Sequence, residues 1–224
     1  AEGGIPTFYN LETGELRDLG KEFDTWFWDP EWFGDSTKIM LNEASIYDIS
    51  TGKLTEYDLP SDKIWLGAKP SPEGSKLAVI GCNRVHHTGS KGEQLIVYML
   101  DLDGKVLKTI QTPLLPNYSD NVLLPLPVNF DWLADGQNLL IEAWNQNTYA
   151  TTLQKLNLAS GEISQLAINT YSPLLSPDGK KLAVFSTDKP EKHVVYNKLH
   201  ILDTEGKTLS SFGINGGDYT MWDN

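Results

Sequence analysis

The side chains best suited to chemistry form a short basic cluster, Arg84, His86 and His87, in the segment CNRVHHTGSKG. Histidine titrates near neutral pH and binds metal ions, so this pair could serve acid–base or metal chemistry. Adjacent side chains on a strand point to opposite sides, however, and the segment holds no carboxylate. We therefore predict no metal site here, and a partner-binding surface and an ordinary solvated loop stay open as alternatives. His193, in DKPEKHVVYNK, joins the same candidate set.

A second candidate is the segment WNQNTY, which combines aromatic rings with side-chain amides. Trp144 and Tyr149 could cover the C–H groups of a peptide or a sugar ring, while Asn145 and Asn147 hydrogen bond to its polar groups. The alternative is a polar loop whose tryptophan fills space between sheets. Tyr118, in NYSDN, is a further candidate of the same kind.

The motifs of several common enzyme classes are missing. The sequence contains no G-x-S-x-G, no H-E-x-x-H and no phosphate-binding loop. Asp24, Asp29, Glu43, Asp120 and Glu142 could reach a common surface, but their spacing singles out no pair for glycoside hydrolysis. We therefore predict a protein that is not an enzyme and that binds no cofactor.

Composition narrows the range of partners. Thirty acidic residues against 18 basic ones give the 224-residue chain a net charge of −12, which repels the phosphates of nucleic acids. No apolar run approaches the roughly 18–20 residues of a membrane-spanning helix, so we predict no membrane insertion. The single cysteine, Cys82, excludes an internal disulfide. A protein or peptide is the expected partner, with carbohydrate as the alternative.

Two recurring turns indicate how these candidates are positioned. The first occurs in SPEGSKLAVI (71–80) and SPDGKKLAVF (176–185), with weaker copies in LADGQNLLIE (133–142) and FGDSTKIML (33–41). The second is a hairpin turn whose glycines are Gly14, Gly52, Gly104, Gly161 and Gly206. Each turn joins two strands, and no helical periodicity intervenes, so the sequence predicts four-stranded antiparallel units of about 45 residues. Such a unit cannot bury both faces alone, and the radial stacking of several units gives an all-β fold, a β-propeller.

The SPDG and SPEG segments, each followed by a D-x-x-T-G-E type hairpin, resemble the WD-like repeat of TolB-type propellers. The same repeat is similar to the propeller domains of prolyl-oligopeptidase-like and tricorn-like peptidases. The resemblance covers essentially the whole chain and implies a fold more than a function. TolB-type propellers are extracytoplasmic scaffolds that bind other proteins, so the resemblance implies a periplasmic or cell-surface location.

We predict one domain, residues 1–224, with about five blades. The expected blades are residues 21–60, 61–111, 112–167 and 168–213, with a closing blade from 214–224 plus 1–20. A larger ring, of which this chain is one part, is the alternative. The long loops 81–93, 112–128, 144–150 and 186–197 are expected on one side of the propeller. Loops of this kind commonly carry function, so we expect the partner to bind there. The alternative functions are a regulatory propeller domain of a larger serine peptidase and a propeller that binds or cleaves polysaccharide.

Overall fold

The computed structural model of the chain describes residues 7–19, 30–42, 44–83, 94–114, 118–119, 122–125, 129–145, 150–168, 170–186 and 197–214. The elements of these residues are β-strands, as the turn patterns predict. They form four four-stranded sheets and two two-stranded pairs, and every pairing is antiparallel.

The strands follow one another in chain order within each sheet. The two-stranded pairs are β1 (Thr7–Tyr9) with β2 (Leu16–Asp18), and β11 (Tyr118–Ser119) with β12 (Val122–Pro125). Sheet 1 consists of β3 (Glu31–Trp32), β4 (Lys38–Asn42), β5 (Ser45–Asp48) and β6 (Lys53–Glu56). Sheet 2 consists of β7 (Lys63–Pro70), β8 (Lys76–Asn83), β9 (Ile96–Asp101) and β10 (Val106–Gln111). Sheet 3 consists of β13 (Phe130–Trp132), β14 (Asn138–Asn145), β15 (Ala150–Asn157) and β16 (Ile163–Ile168). Sheet 4 consists of β17 (Thr170–Leu175), β18 (Lys181–Ser186), β19 (Lys198–Asp203) and β20 (Thr208–Gly213).

The repeated turns close as their residue types predict. In the SPDG turn, the backbone N–H of Gly179 donates to Ser176 O at 2.8 Å, and the N–H of Lys181 donates to Ser176 Oγ at 2.9 Å. At the glycine turn of sheet 1, Asp48 Oδ1 accepts bonds from Ser50 Oγ at 2.6 Å and from the Thr51 N–H at 2.9 Å. These bonds favour the ionised carboxyl and lower the pKa of Asp48 to about 2.

Alternation along the strands gives every sheet two apolar faces. In β8, Leu77 and Val79 belong to the cluster shared with sheet 1, whereas Ala78 and Ile80 belong to the cluster shared with sheet 3. We call these the preceding face and the following face. The sheets therefore stack in chain order, and each boundary joins the following face of one sheet to the preceding face of the next.

Four apolar clusters fill the boundaries of this stack. One packs the β1–β2 hairpin on sheet 1, and the others lie between sheets 1 and 2, sheets 2 and 3, and sheets 3 and 4. The boundary of sheets 2 and 3 buries the largest cluster: Leu66, Ala78, Ile80, Cys82, Leu95, Val97, Met99, Ile110, Phe130, Trp132, Leu139, Ile141, Leu156 and Leu158. Burial of this apolar surface is the main source of stability for sheets that cannot cover themselves.

Polar contacts cross the boundaries as well. Tyr57 donates its hydroxyl to Leu102 O at 2.9 Å, and burial raises the pKa of Tyr57. The indole N–H of Trp132 donates to Lys69 O at 3.0 Å. These bonds satisfy polar groups that packing removes from water, so they fix the relative position of neighbouring sheets.

The structure differs from the sequence expectations in two loops. The segment 112–128, expected as a loop, contains the β11–β12 pair. The segment 144–150 is shorter as a loop than expected, because Trp144 pairs with Thr151 and Asn145 with Ala150, which extends β14 and β15. Of the expected closing blade, residues 7–19, which include the β1–β2 hairpin, and Ile214 are described, and its other residues lie outside the described part.

Candidate functional site

The strongest candidate site lies where sheets 3 and 4 meet, at the end where the second strand of each sheet leads to the third. We call this end of the stack the loop side and the opposite end, which carries the SPDG and glycine turns, the turn side. Glu142 of β14 and Ser186 of β18 both lie near the loop-side ends of their strands. By register, both side chains are directed to the boundary between these two sheets.

Glu142 stands where the repeat otherwise places an apolar residue. It is only 7% exposed and occupies the position held by Ile80 in sheet 2 and Phe185 in sheet 4. A buried carboxylate is costly unless hydrogen bonds compensate for lost hydration. Asn129 provides such a bond, because its Nδ2 donates to Glu142 Oε2 at 3.0 Å while its backbone O accepts the Glu142 N–H at 2.9 Å.

A polar row crosses sheet 4 on the face toward sheet 3. It consists of Thr170, Ser186, His200 and Ser211, one from each strand, with Thr170 paired to Ser186 and His200 paired to Ser211. His200 Nε2 lies 2.8 Å from Ser186 Oγ, and its Nδ1 lies 2.7 Å from Ser211 Oγ. A neutral imidazole donates through one nitrogen and accepts through the other, and each hydroxyl can take either role. The row therefore holds the imidazole in one orientation.

The Ser186–His200 distance is that of a nucleophile and its base, but the surroundings favour a positioning role. Ser211 occupies the place where a catalytic triad has a carboxylate, and Ser186 is buried at the boundary. Thr170, at the inner end of the row, is buried, and the described residues offer its hydroxyl no hydrogen-bond partner. The row and Glu142 together make this end of the boundary polar, whereas apolar side chains occupy its middle.

The inner strands contribute a second charged feature. Lys69 of β7 donates to Glu31 Oε1 of β3 at 2.5 Å, linking sheets 2 and 1. Both side chains are partly exposed, so the pair is screened and contributes little to stability. Within the described ranges, no three His, Cys, Asp or Glu side chains are grouped in a way that could hold a metal ion.

Most of the sequence candidates fall outside this description. Trp144 and Asn145 end β14, and Tyr118 begins β11, so their backbones are placed while their side chains are not described. The remaining candidates lie outside the described residues: Arg84, His86, His87, Asn147, Tyr149 and His193. The sequence patterns did not indicate Ser186, His200, Ser211 or Thr170. Glu142 aligns with Ile80 and Phe185 when the repeats are compared, and this polar residue at an otherwise apolar repeat position was the signal that could have singled it out.

Neither a family model nor a curated protein matches the chain. Solved structures do match it. An acylaminoacyl peptidase from Pyrococcus horikoshii has a TM-score of 0.59 and 15% identity, over 90% of this chain and 34% of its own. Dipeptidyl peptidase 4 from Porphyromonas gingivalis has a TM-score of 0.61 and 9% identity, over 92% of this chain and 35% of its own. A β-propeller domain from Myceliophteria thermophila has a TM-score of 0.53 and 11% identity, over 92% of this chain and 65% of its own.

These likenesses establish the fold alone. The all-β class and the four-stranded, antiparallel, blade-like sheets are confirmed, and the similarity in fold to the two peptidases agrees with the resemblance to peptidase propellers. The chain spans about a third of the length of the two peptidases. A helix with the length and apolar character required to cross a bilayer does not occur among the described residues.

Proposed function

We propose that the chain is a non-catalytic β-propeller module that binds a protein or peptide partner on its loop side. The buried carboxylate of Glu142 carries this proposal. Glu142 stands where the equivalent residues of other sheets are apolar, so it packs less favourably between sheets 3 and 4 than an apolar side chain would. A binding function would account for a glutamate at this position. Glu142 also lies two residues before Trp144, the first residue of the WNQNTY candidate. The same strand, β14, therefore carries both a carboxylate and an aromatic residue.

The charge of the molecule supports the same type of partner. A net charge of −12 attracts basic segments over long distances and accelerates their encounter with the protein. A peptide with basic and apolar residues would complement both the carboxylate and the aromatic group. We further propose that the sheets are arranged radially as about five blades, within this chain or within a larger ring, so that their loop sides form one surface.

Several features favour binding over catalysis. Ser186 is buried beside His200, and Ser211, not a carboxylate, orients the ring, so the proposal assigns the row to architecture. We also propose that the protein binds no cofactor and no nucleic acid and does not insert into membranes. The location outside the cytoplasm rests on the TolB-type resemblance, and fractionation of the source cells tests it.

A peptide selection with matched variants tests the binding site. The wild-type chain is used to select from a displayed library of random peptides, and the enriched peptides are titrated by calorimetry. Glu142→Gln and Trp144→Ala should each weaken the selected peptides about tenfold, which corresponds to about 1.4 kcal/mol. Glu73→Gln is the control, because Glu73 is an exposed carboxylate on the turn side.

Equal affinity of all variants, with unchanged folding by circular dichroism, would remove the loop side as the binding site. If no peptide is enriched and a glycan array is bound instead, the carbohydrate alternative replaces the peptide proposal. Binding of the same glycan should then disappear in Trp144→Ala.

The second candidate function is a propeller domain of a larger serine peptidase. The two peptidase structures favour it. The dipeptidyl peptidase matches 92% of this chain at a TM-score of 0.61, and the acylaminoacyl peptidase matches 90% at a TM-score of 0.59. In that case the hydrolytic residues belong to another domain, and the propeller regulates access of peptides to it. A G-x-S-x-G sequence in the same reading frame would support this candidate, and a gene without one would exclude it.

A further inference from the structure

The boundary between sheets 3 and 4 is apolar in its middle and enclosed by a sheet on each side. Leu140 and Leu153 of sheet 3 pack there with Leu182 and Val184 of sheet 4, and none of the four is more than 3% exposed. Burial at this place therefore results from the contact of two described sheets. A polar group that enters the boundary loses its contact with water and needs a hydrogen-bond partner between the sheets.

Strand alternation places two polar residues at the loop-side end of the same boundary. Glu142 follows Leu140 by two residues, and Ser186 follows Val184 by two residues, so each lies on the face of the apolar residue before it. Both side chains are buried. A carboxylate of sheet 3 and a hydroxyl of sheet 4 are therefore enclosed between the two sheets.

Thr170 adds a second enclosed hydroxyl on the side of sheet 4. It is the cross-strand partner of Ser186, so the two side chains share one face of the sheet. Thr170 is only 2% exposed, yet its hydroxyl makes no hydrogen bond within the part of the chain that the structure describes. A buried hydroxyl of this kind is destabilising by itself, so it points to a bound group that completes it. We call Glu142, Thr170 and Ser186 the polar enclosure.

The polar atoms of the enclosure can all accept hydrogen bonds. An ionised carboxylate only accepts, and Asn129 Nδ2 is one donor to Glu142, at 3.0 Å from Oε2. The hydroxyl of Ser186 can donate to His200 Nε2, which lies 2.8 Å away, and its oxygen then accepts from a further donor. The hydroxyl oxygen of Thr170 accepts in the same way. Acceptors that include one negative charge suit a cation with several N–H donors.

We propose that the polar enclosure binds the ammonium group of a lysine side chain of the peptide partner. This inference rests on the proposed function, because it names the residue that the Glu142 site recognises. An ammonium is a compact group with three N–H donors, so it can bond to Glu142, Thr170 and Ser186 together. The methylene groups of lysine let the charge enter between the sheets while the peptide backbone stays outside.

The other cationic groups of a peptide fit the enclosure less well. The guanidinium of arginine is a planar fork with five donors, which suits a carboxylate that it can approach in one plane rather than acceptors on two facing sheets. The amino group at a peptide's N-terminus has no side-chain stem, so its backbone would have to enter the boundary as well. Lysine avoids both difficulties.

A small cation tests the enclosure independently of any peptide. n-Butylammonium chloride, which has the carbon chain and the ammonium group of a lysine side chain, is titrated into the isotope-labelled protein and followed by NMR. It should shift the backbone amide signals of Glu142 and Thr170. Tetramethylammonium chloride at the same concentration has no N–H donor and should not shift them.

Thr170→Val separates binding from structure. Valine has the shape of threonine without the hydroxyl, so this variant should bind n-butylammonium about tenfold more weakly while its stability is unchanged or higher. Glu142→Gln should also weaken binding about tenfold or more. Thr109→Val is the control, because Thr109 is exposed on β10 of sheet 2. Equal responses of the wild type and Thr170→Val, or no response of the wild type, would overturn the proposal.

Peptides from the display selection test the lysine itself. Replacing the lysine of an enriched peptide by norleucine or by arginine should weaken binding to the wild type about tenfold, and acetylation of the peptide N-terminus should not. Against Glu142→Gln, the lysine and norleucine peptides should bind equally. Enriched peptides that depend on Glu142 and Trp144 but lose nothing with norleucine would overturn this inference and leave the proposed function standing. If no peptide is enriched, the proposed function fails, and the n-butylammonium titration still decides the ammonium site.

A lysine of the chain itself is the competing occupant. Lys189 and Lys192 follow Ser186 within six residues of the sequence. The double variant Lys189→Met and Lys192→Met should respond to n-butylammonium as the wild type does. A response of the double variant alone would show that the chain supplies its own ammonium group, and would overturn recognition of a partner's lysine.

Discussion

His200 illustrates how a single side chain organises a sheet boundary. Its two ring nitrogens connect the hydroxyls of Ser186 and Ser211, so three of the four strands of sheet 4 are linked by side chains as well as by the backbone. The hydroxyl of Ser186 is buried and that of Ser211 is exposed. A lost partner is more costly in a buried position, where water cannot replace it.

We therefore expect Ser186→Ala to lower the free energy of unfolding by about 1–2 kcal/mol, and Ser211→Ala to lower it by less than about 1 kcal/mol. Urea unfolding followed by circular dichroism measures both. Ser210→Ala is the control, because Ser210 is exposed and faces away from sheet 3. Equal effects of Ser186→Ala and Ser210→Ala would show that the row does not contribute to stability.

Asp48 predicts how the protein responds to acid. Hydrogen bonds from Ser50 and Thr51 lower its pKa to about 2, below the ordinary value of 3.8. A carboxyl with a lowered native pKa stabilises the fold above its unfolded pKa, and this contribution disappears as the pH falls through the native value. Stability should therefore decline between about pH 4 and pH 2, and less steeply in Asp48→Asn. NMR titration of the side-chain carboxyl carbon tests the cause, and a midpoint near the ordinary value would contradict it.

Among the strand-connecting turns, the turn of sheet 1 within FGDSTKIML (33–41) matches the SPDG motif least well. Ser36 holds the position that Gly74, Gly136 and Gly179 hold in the other sheets, and it has a φ of 57°. A side chain in this left-handed region costs about 1–2 kcal/mol, partly offset by the greater freedom of glycine in the unfolded chain. We expect Ser36→Gly to raise the free energy of unfolding by about 0.5–1 kcal/mol. Ser61→Gly, an exposed turn position with negative φ, should lower it slightly.

The same turns show what the sequence could predict. The glycines of both turn types have positive φ, as predicted, because turn conformation depends on local residue types. The strands that flank each turn could therefore be predicted as well. The β11–β12 pair was not predicted, since Tyr118–Ser119 and Val122–Pro125 are too short to show alternation. The polar row was not predicted either. Ser186 and Ser211 are 25 residues apart, and only the register of β18, β19 and β20 brings both to His200.

Gly179 shows how closely neighbouring turns approach each other. A Cβ at this position would lie 2.2 Å from Ala134 Cβ in the equivalent turn of sheet 3, whereas a Cβ at Gly52 would meet nothing closer than 3.7 Å. Both glycines have similar positive φ, 66° and 69°. Gly179→Ala should therefore destabilise the protein by about 1–3 kcal/mol more than Gly52→Ala, because only the first adds overpacking between sheets. Thermal unfolding of both variants measures the difference, and equal losses would mean that the turns separate at little cost.

At the scale of the whole molecule, stability depends on boundaries between sheets rather than on one central core. Four separate apolar clusters fill the boundaries between the described sheets, and each joins only two neighbours. Proteins built in this way are stabilised by the sum of their neighbour contacts, so the end units are the weakest unless something covers them. Within the part of the chain that the structure describes, the hairpin and sheet 4 each have exposed apolar side chains on one face.

Ile80 and Phe185 compare a buried side chain with a partly exposed one at equivalent repeat positions. Ile80→Ala removes a fully buried side chain and should lower the free energy of unfolding by about 2–5 kcal/mol. Phe185→Ala should have a smaller effect, because Phe185 is partly exposed. Urea unfolding followed by circular dichroism measures both losses, and equal losses would mean that the folded protein covers Phe185 as completely as Ile80.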